Sequence, residues 1–256
     1  MSMDYCGNFA KYYDKIFSKK DYDQETQFIL DAYALFSKEK INNILDFGCG
    51  TGMHSHLLSQ KTDCKIVGYD KSSSMISLAN KKYKDAKSCF FVDDINKLKD
   101  KFDLIISMFF VVNHINKLKE LEKYFNDISL RCGEGDIFIF DCFNAVAALR
   151  DPPVFSRKER YAEKDIKIIT SCIPLNDMMN SFFEMKNKVE IYKNDLLFDE
   201  FEYDLKHTLW SSRILKELLN SKGFEVLKVL KPYDLNRPAQ YDDYKIVYVC
   251  KKRNGG

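Results

Sequence analysis

The chain has 256 residues, 45% of them hydrophobic, and its 40 basic and 38 acidic side chains leave a formal net charge of +2. That length suits one large domain, or one domain with an elaboration, around a substantial core. The near-balanced charge carries no long basic block of the kind that tracks nucleic acid, and no apolar run is long enough to span a bilayer.

In chain order, residues 1–40 precede the first sheet strand. The segment Phe9 to Phe17 carries Tyr12, Tyr13, Ile16 and Phe17. The stretch QETQFILDAYALFSK follows as an amphipathic helix with Phe28, Ile29, Ala32, Tyr33 and Phe36 on or near one face. A short apolar strand then runs from Ile44 to Phe47, crosses Gly48, Gly50 and Gly52, and opens into a helix from Met53 to Gln60. Strands follow at Cys64–Asp70, Ser88–Asp94, Phe102–Phe110 and Asp136–Asp141, alternating with helices at Ser73–Tyr83 and Asn116–Arg131. The rhythm breaks over 142–208, where alternating apolar and polar residues read as an antiparallel insertion of three or four strands. It resumes with a helix over Ser211–Ser221, ended by Gly223, and strands at Phe224–Leu230 and Tyr244–Cys250. The expected division is therefore 1–40, an N-terminal extension or flap; 41–141, the ligand-binding core; 142–208, the insertion, as a substrate wall or dimer surface; and 209–256, the closing helix and strands. The final Lys251-Lys252-Arg253 reads as a solvated tail.

A strand, a glycine-rich turn and a helix start form a small-ligand cradle at the carboxyl edge of an α/β sheet. Here the turn is G-x-G-x-G, neither the G-x-G-x-x-G of dinucleotide binding nor a P-loop, since no GK[ST] follows. Asp46 precedes the turn; a carboxylate there repels a pyrophosphate and suits a cationic amino group. Asp70, at the end of the next strand, stands where a ribose-binding acid is expected; the plainer reading is a strand-end acid held by nearby backbone N–H groups. Lys71 and Met75 follow on the same side, and Met75 equally suits the core.

The residues DFGCGTG, Asp46 to Gly52, resemble motif I of class I S-adenosylmethionine-dependent methyltransferases. The resemblance implies a three-layer α/β sandwich around a seven-stranded, mostly parallel sheet with one antiparallel strand, and S-adenosylmethionine as cofactor. It implies a cofactor pocket formed by Asp46, Gly48, Cys49, Gly50, Asp70, Lys71, Met75, Asp93, Asp94, Ile95 and Met108. Asp46 would serve the methionine end, and Asp94, preferred over Asp93, the adenine amine. A narrower likeness joins YYDKIFSKKDY and FDLIISMFFVVNHINKLKELEKYF to bacterial sugar N,N-dimethyltransferases that act on nucleotide-linked aminosugars. It implies active-site roles for Tyr13 and His114, and places Lys20 and Tyr22 at the cofactor's carboxylate end. Asn113 replaces the glycine usual before that histidine.

From its position alone, His114 follows the fourth strand at the sheet edge where ligands bind, and a neutral imidazole there can accept a proton. The alternative is that it caps the helix beginning near Asn116. Asn113, Asp141, Trp210 and Arg237 are candidate substrate contacts, and Arg150, Arg157, Lys158, Arg160 and Arg237 candidate diphosphate contacts. His207 and Trp210 flank the end of the insertion and shape the substrate pocket on this reading. His54 and His56, two residues apart, are expected at the surface or the substrate edge.

The eight cysteines, Cys6, Cys49, Cys64, Cys89, Cys132, Cys142, Cys172 and Cys250, are scattered and form no C-x-x-C pair. Reduced thiols in a cytoplasmic protein without a signal peptide are expected, and no metal. The expected function is methyl transfer to a hydroxyl or amine of a nucleotide-linked sugar, with another small metabolite as the alternative acceptor. A cofactor-binding scaffold is the reading from a different class. A nucleic-acid partner is not expected; a homodimer is possible.

Overall fold

The computed structural model describes residues 8–83, 89–163 and 165–253. Cys6 and Ser88 lie outside the described residues. Helices α1 (Asn8–Ile16) and α2 (Tyr22–Phe36) lead into β1 (Asn43–Phe47), α3 (Met53–Lys61), β2 (Lys65–Tyr69), α4 (Ser73–Lys82), β3 (Cys89–Val92) and β4 (Leu104–Ser107). Then come α5 (Leu118–Ser129), β5 (Ile137–Phe143), α6 (Ala145–Arg150), and the insertion strands β6 (Ser156–Glu163), β7 (Ile166–Asp177), β8 (Phe182–Lys193) and β9 (Leu196–Thr208). Helix α7 (Ser212–Ser221) and strands β10 (Phe224–Leu230) and β11 (Lys245–Lys252) close the chain.

The main sheet has the order β10-β11-β5-β4-β1-β2-β3. Strands β1 to β5 pair in parallel, and β11 runs antiparallel to both β5 and β10. Period-two alternation divides its side chains between two cores. Ile44, Ile137 and Ile139 face the layer with α2 and α3, while Leu45, Phe138 and Phe140 face the layer with α5 and α7. This is the class I methyltransferase architecture, with an antiparallel sheet inserted after β5. Strand order reverses between β1 and β4, so the carboxyl ends of those two strands flank the crevice at which such sheets bind ligands.

The insertion has four strands, β6 to β9 in sequence order. The charged run that starts at Ser156 is itself a strand, β6, because its partner β7 supplies an antiparallel ladder, broken by one bulge between Glu159 and Tyr161. Helix α1 covers one face of this sheet: Phe9, Tyr12 and Ile16 share an apolar cluster with Ile168, Val189 and Ile191, and with Met75 of α4. Met75 thus belongs to the joint between core, insertion and N-terminal helix.

Three boundaries differ from expectation. Strand β4 stops at Ser107 rather than Phe110, because Phe109 and Phe110 take left-handed backbone angles, φ 71° and 64°. Helix α5 starts at Leu118 with Lys117 at its cap, so His114, the last residue of a 3-10 turn over Val111–His114, does not cap it. Lys251 and Lys252 continue β11 instead of forming a tail; Lys252 Nζ donates to Ser129 Oγ and to the Lys222 carbonyl.

Candidate active site

After β1 the backbone turns through three left-handed glycines, and each answers a different need. A Cβ on Gly48 would lie 2.6 Å from a methyl of Val111, and one on Gly52 would lie 2.5 Å from the Phe91 ring. On Gly50 it would meet nothing within 4 Å. Gly48 and Gly52 serve close packing, whereas Gly50 leaves an open face. The turn is held by Gly48 N–H and Cys49 N–H, which both donate to the Tyr69 carbonyl at the end of β2 (2.7 and 2.9 Å).

Acids stand at three successive strand tips. Asp46 is buried and accepts from Ser55 Oγ at 2.7 Å; burial pushes its carboxyl above the usual range, opposed by His54 and by that hydrogen bond. Asp70 accepts from Gly50 N–H and Ser72 N–H, both at 2.9 Å, so one carboxylate braces the turn against the start of α4. Burial raises Asp70 too, and the two N–H groups oppose it. Asp94 caps a short 3-10 turn through Asn96 N–H, which holds its carboxyl below the ordinary range. Asp93 is exposed and pairs with Lys97, while the Ile95 side chain is buried in the core beneath α5. Met108 is likewise a core residue, on the opposite face.

The N-terminal helices reach this turn directly. Thr51 Oγ1 donates to Asp14 of α1 at 2.6 Å, and Lys82 of α4 donates to the other oxygen of the same carboxylate. Beside them lies a buried charge network. Glu25, 1% exposed, accepts from Lys20 Nζ, from Lys245 Nζ at 2.7 Å and from Tyr233 Oη at 2.9 Å, and lies 2.7 Å from His54 Nε2. Lys20 also lies over the Tyr22 ring, 4.0 Å from its centroid. His54 is therefore interior, which rules out the surface half of the expected surface or substrate-edge role; burial, and then the Lys20 ammonium, pull it down to about 3. His56 stacks on Tyr83.

Lys245 carries the network across the sheet, since its Nζ also lies 2.8 Å from Asp141 Oδ2. Asp141 Oδ1 accepts from Phe110 N–H at 2.7 Å, which pins the left-handed turn after β4. Asp141 is wholly buried, with Oδ1 held by that N–H and Oδ2 facing the Lys245 ammonium as an ion pair. Asn113 is also wholly buried: its Nδ2 donates to the Thr208 carbonyl (2.8 Å) and its Oδ1 accepts from Phe143 N–H (3.0 Å). Trp210 Nε1 donates to the Ile115 carbonyl at 3.1 Å, and Thr208 Oγ1 donates to Asn116 Oδ1 at 3.0 Å. These three residues clamp the end of the insertion onto the 3-10 turn that carries His114. Arg237 pairs with Asp243 in the β10–β11 connection, and Arg157 with Glu190 on the insertion sheet.

His114 is half-buried, and its ring centroid is 4.6 Å from that of His207 on β9. Burial, reinforced by the Lys71 ammonium, holds His114 at about 4, so its imidazole is neutral at pH 7. Tyr13 joins the same region through a run of rings. Tyr13 and Phe17 lie 4.8 Å apart, Phe17 and Phe109 5.0 Å, Phe109 and Phe110 5.9 Å, and Phe110 and Phe143 4.0 Å. Phe143 then meets His207 at 5.3 Å.

Glu25, Lys245, Asp14 and Thr51 are not among the residues that the sequence alone singles out. Glu25 had a signal: it falls in helical phase with Phe28, Ile29, Ala32 and Tyr33, a carboxylate on the buried stripe. Lys245, opening an apolar strand, carried a weaker one. Among the described residues no group of three or more His, Cys, Asp or Glu side chains converges to hold a metal ion, and no helix is long and apolar enough to cross a membrane.

A family model described as a methyltransferase domain matches residues 18–229. The chain belongs to that methyltransferase family. It is an enzyme that takes its methyl group from S-adenosylmethionine and leaves S-adenosylhomocysteine, which decides between enzyme and scaffold. An S-adenosylmethionine-dependent methyltransferase from Clostridium acetobutylicum shares the fold with a TM-score of 0.79 at 23% identity, covering 96% of this chain and 98% of that one. The sugar N-methyltransferase KedS8 from Streptoalloteichus superposes at 0.77 with 14% identity, over 99% and 96%. An amino pentose methyltransferase from Micromonospora echinaspora does so at 0.73 with 15% identity, over 97% and 98%.

Proposed function

We propose that this methyltransferase acts on a hydroxyl or amine of a small polar acceptor, a sugar carried on a nucleotide diphosphate, without a metal. The strongest support is the clamp that fixes the insertion against the His114 turn, an arrangement that suits the insertion to wall a bulky two-part acceptor. Two proteins of like fold, described as a sugar N-methyltransferase and an amino pentose methyltransferase, support the same substrate class.

On this reading the residues of the turn suit the cofactor. The open face at Gly50 admits it, Asp70 accepts from the ribose hydroxyls, Asp94 from the adenine amine, and Asp46 with Lys20 and Tyr22 serves the methionine end. When bound, the cofactor supplies a methyl group on a cationic sulfur. The chain aligns the acceptor with that methyl group and provides a neutral base, His114, for the acceptor's proton, with Tyr13 positioning the acceptor from the far end of the aromatic run.

Replacing His114 by Ala or Asn should lower turnover by about 10²–10⁴-fold while S-adenosylhomocysteine affinity stays the same. With a hydroxyl acceptor, kcat/KM should stay level from pH 8 to about 5 and fall only towards pH 4, because buried His114 remains unprotonated where a free histidine would already have titrated. Unchanged turnover in the variants, or a limb near pH 6.5 that belongs to His114, would remove it from this role.

A further inference from the structure

We infer that Asp141 and Lys245 are a positioning pair for the turn that carries His114: Asp141 holds the turn at its start, and Lys245 holds Asp141. The inference rests on the reading of His114 as the proton acceptor.

The turn begins under strain. Phe109 and Phe110 are successive left-handed residues, φ 71° and 64°. Bulky L-residues keep that conformation only where their surroundings impose it. Phe110 is also the cap of the 3-10 turn Val111–His114, and its carbonyl accepts from Asn113 N–H at 2.9 Å. Whatever fixes Phe110 therefore fixes where the turn to His114 starts. Its N–H donates to Asp141 Oδ1 at 2.7 Å, a charge-assisted bond from the neighbouring strand β5. The far end of the turn is tied separately to the insertion, through Asn113, Ile115 and Asn116.

Asp141 needs Lys245 for this. Its Oδ2 makes no hydrogen bond among the described residues and meets the Lys245 ammonium at 2.8 Å, its one ion pair there. Glu25, the other carboxylate on Lys245, also has Lys20. Lys245 meets the turn a second time, with Nζ 5.4 Å from the centroid of the Phe110 ring. Stability alone is a weak reason for such a pair, because well-packed apolar residues of like volume often serve a buried site as well. Position is the better reason. Methyl transfer depends on alignment, and about 1 Å of misplacement costs about 10²-fold in rate. Phe109 packs against Phe17, between α1 and α2, and lies 5.1 Å from Lys20 Nζ, while Phe110 stacks on Phe143 at 4.0 Å. A shift at the start of this turn would thus reach the cofactor side and the acceptor side together.

The test uses the full chain with S-adenosylhomocysteine, and NMR to follow exchange of the Phe110 and Gly50 amides and the His114 ring signal. Lys245→Met leaves the buried carboxylate without its counter-charge. Two double variants carry no charge at either position. Asp141→Asn with Lys245→Met keeps an acceptor oxygen for Phe110 N–H; Asp141→Leu with Lys245→Met removes it. The Phe110 amide should exchange about tenfold faster or more in Lys245→Met and in the Asp141→Leu double variant, and the His114 signal should move in both. Both readouts should return largely to normal in the Asp141→Asn double variant. Gly50 exchange and S-adenosylhomocysteine Kd should stay within about twofold throughout. Turnover of the nucleotide-linked sugars should fall about 10–100-fold where the Phe110 amide is freed, and recover with the Asn oxygen. Unchanged Phe110 exchange and His114 signal in Lys245→Met would overturn the inference. So would two double variants that behave alike, which decide the matter even if Lys245→Met does not fold. If His114→Ala leaves turnover unchanged, the proton-acceptor reading fails by itself; the amide comparison, which needs no acceptor, still decides whether the pair holds the turn.

Discussion

The two sides of the crevice are assembled over very different distances along the chain. On the glycine-turn side, Gly50 bonds to Asp70 twenty residues on, and Asp46 to Ser55 nine residues on. On the His114 side, Asn113 bonds to Thr208 and Ile115 to Trp210, each 95 residues away, and His207 arrives from the last strand of the insertion. The first side is a local device whose parts must keep their spacing to work. The second is a meeting of distant segments, so its chemistry can change with the insertion while the turn stays the same. Glu25 and Lys245 wire the sides together, from the Lys20 and His54 end through to Asp141 and the Phe110 turn.

Breaking that wire should have the largest effect. Glu25→Ala leaves the Lys20 and Lys245 ammonium groups without their shared carboxylate, and should cost about 3–5 kcal/mol in urea denaturation. A loss below 1 kcal/mol would mean that the two sides are independent. Next comes the local side alone. Asp70→Asn weakens the brace on Gly50 and the pairing expected for the ribose, and calorimetric titration should show S-adenosylhomocysteine binding weaker by about 1.5–3 kcal/mol. The smallest effect separates two glycines of one turn. Ala at either position meets a left-handed backbone, at about 1–2 kcal/mol, but only at Gly48 does it also collide with Val111. Gly48→Ala should therefore be the less stable protein in a thermal melt, and Gly50→Ala should lose cofactor affinity more than stability. The reverse order would mean that the open face at Gly50 is not used.

How much the sequence disclosed follows the same division. The alternation of strand and helix, the glycine turn and the acids ending β1, β2 and β3 were legible because spacing and periodicity within some twenty residues define them. Asp94 was expected as an adenine contact, and its position at the strand tip was readable although its present partner is its own 3-10 turn. Asn113 and Asp141 were expected at the substrate. Their internal hydrogen bonds depend on Thr208, Phe143 and Phe110, and the ion pair of Asp141 on Lys245, none of which a local pattern brings to them. The end of β4 was overrun because Met108-Phe109-Phe110 looks like a continuing apolar strand; the left-handed turn there rests on a carboxylate one strand over. His54 looked exposed because its partner Glu25 lies on a helix before the sheet begins.

The acceptor is the central claim, and product analysis tests it most directly. The purified protein would be incubated with S-adenosylmethionine carrying an isotopic methyl label and a panel of nucleotide-linked sugars and aminosugars, alongside free sugars and aromatic metabolites. Mass spectrometry would then read each mixture. The account predicts that a nucleotide-linked sugar gains one labelled methyl group, located by fragmentation on a sugar hydroxyl or amine, and that the gain falls sharply in the His114→Ala protein. Methylation of a free sugar or an aromatic metabolite, with every nucleotide-linked sugar unchanged, would contradict it.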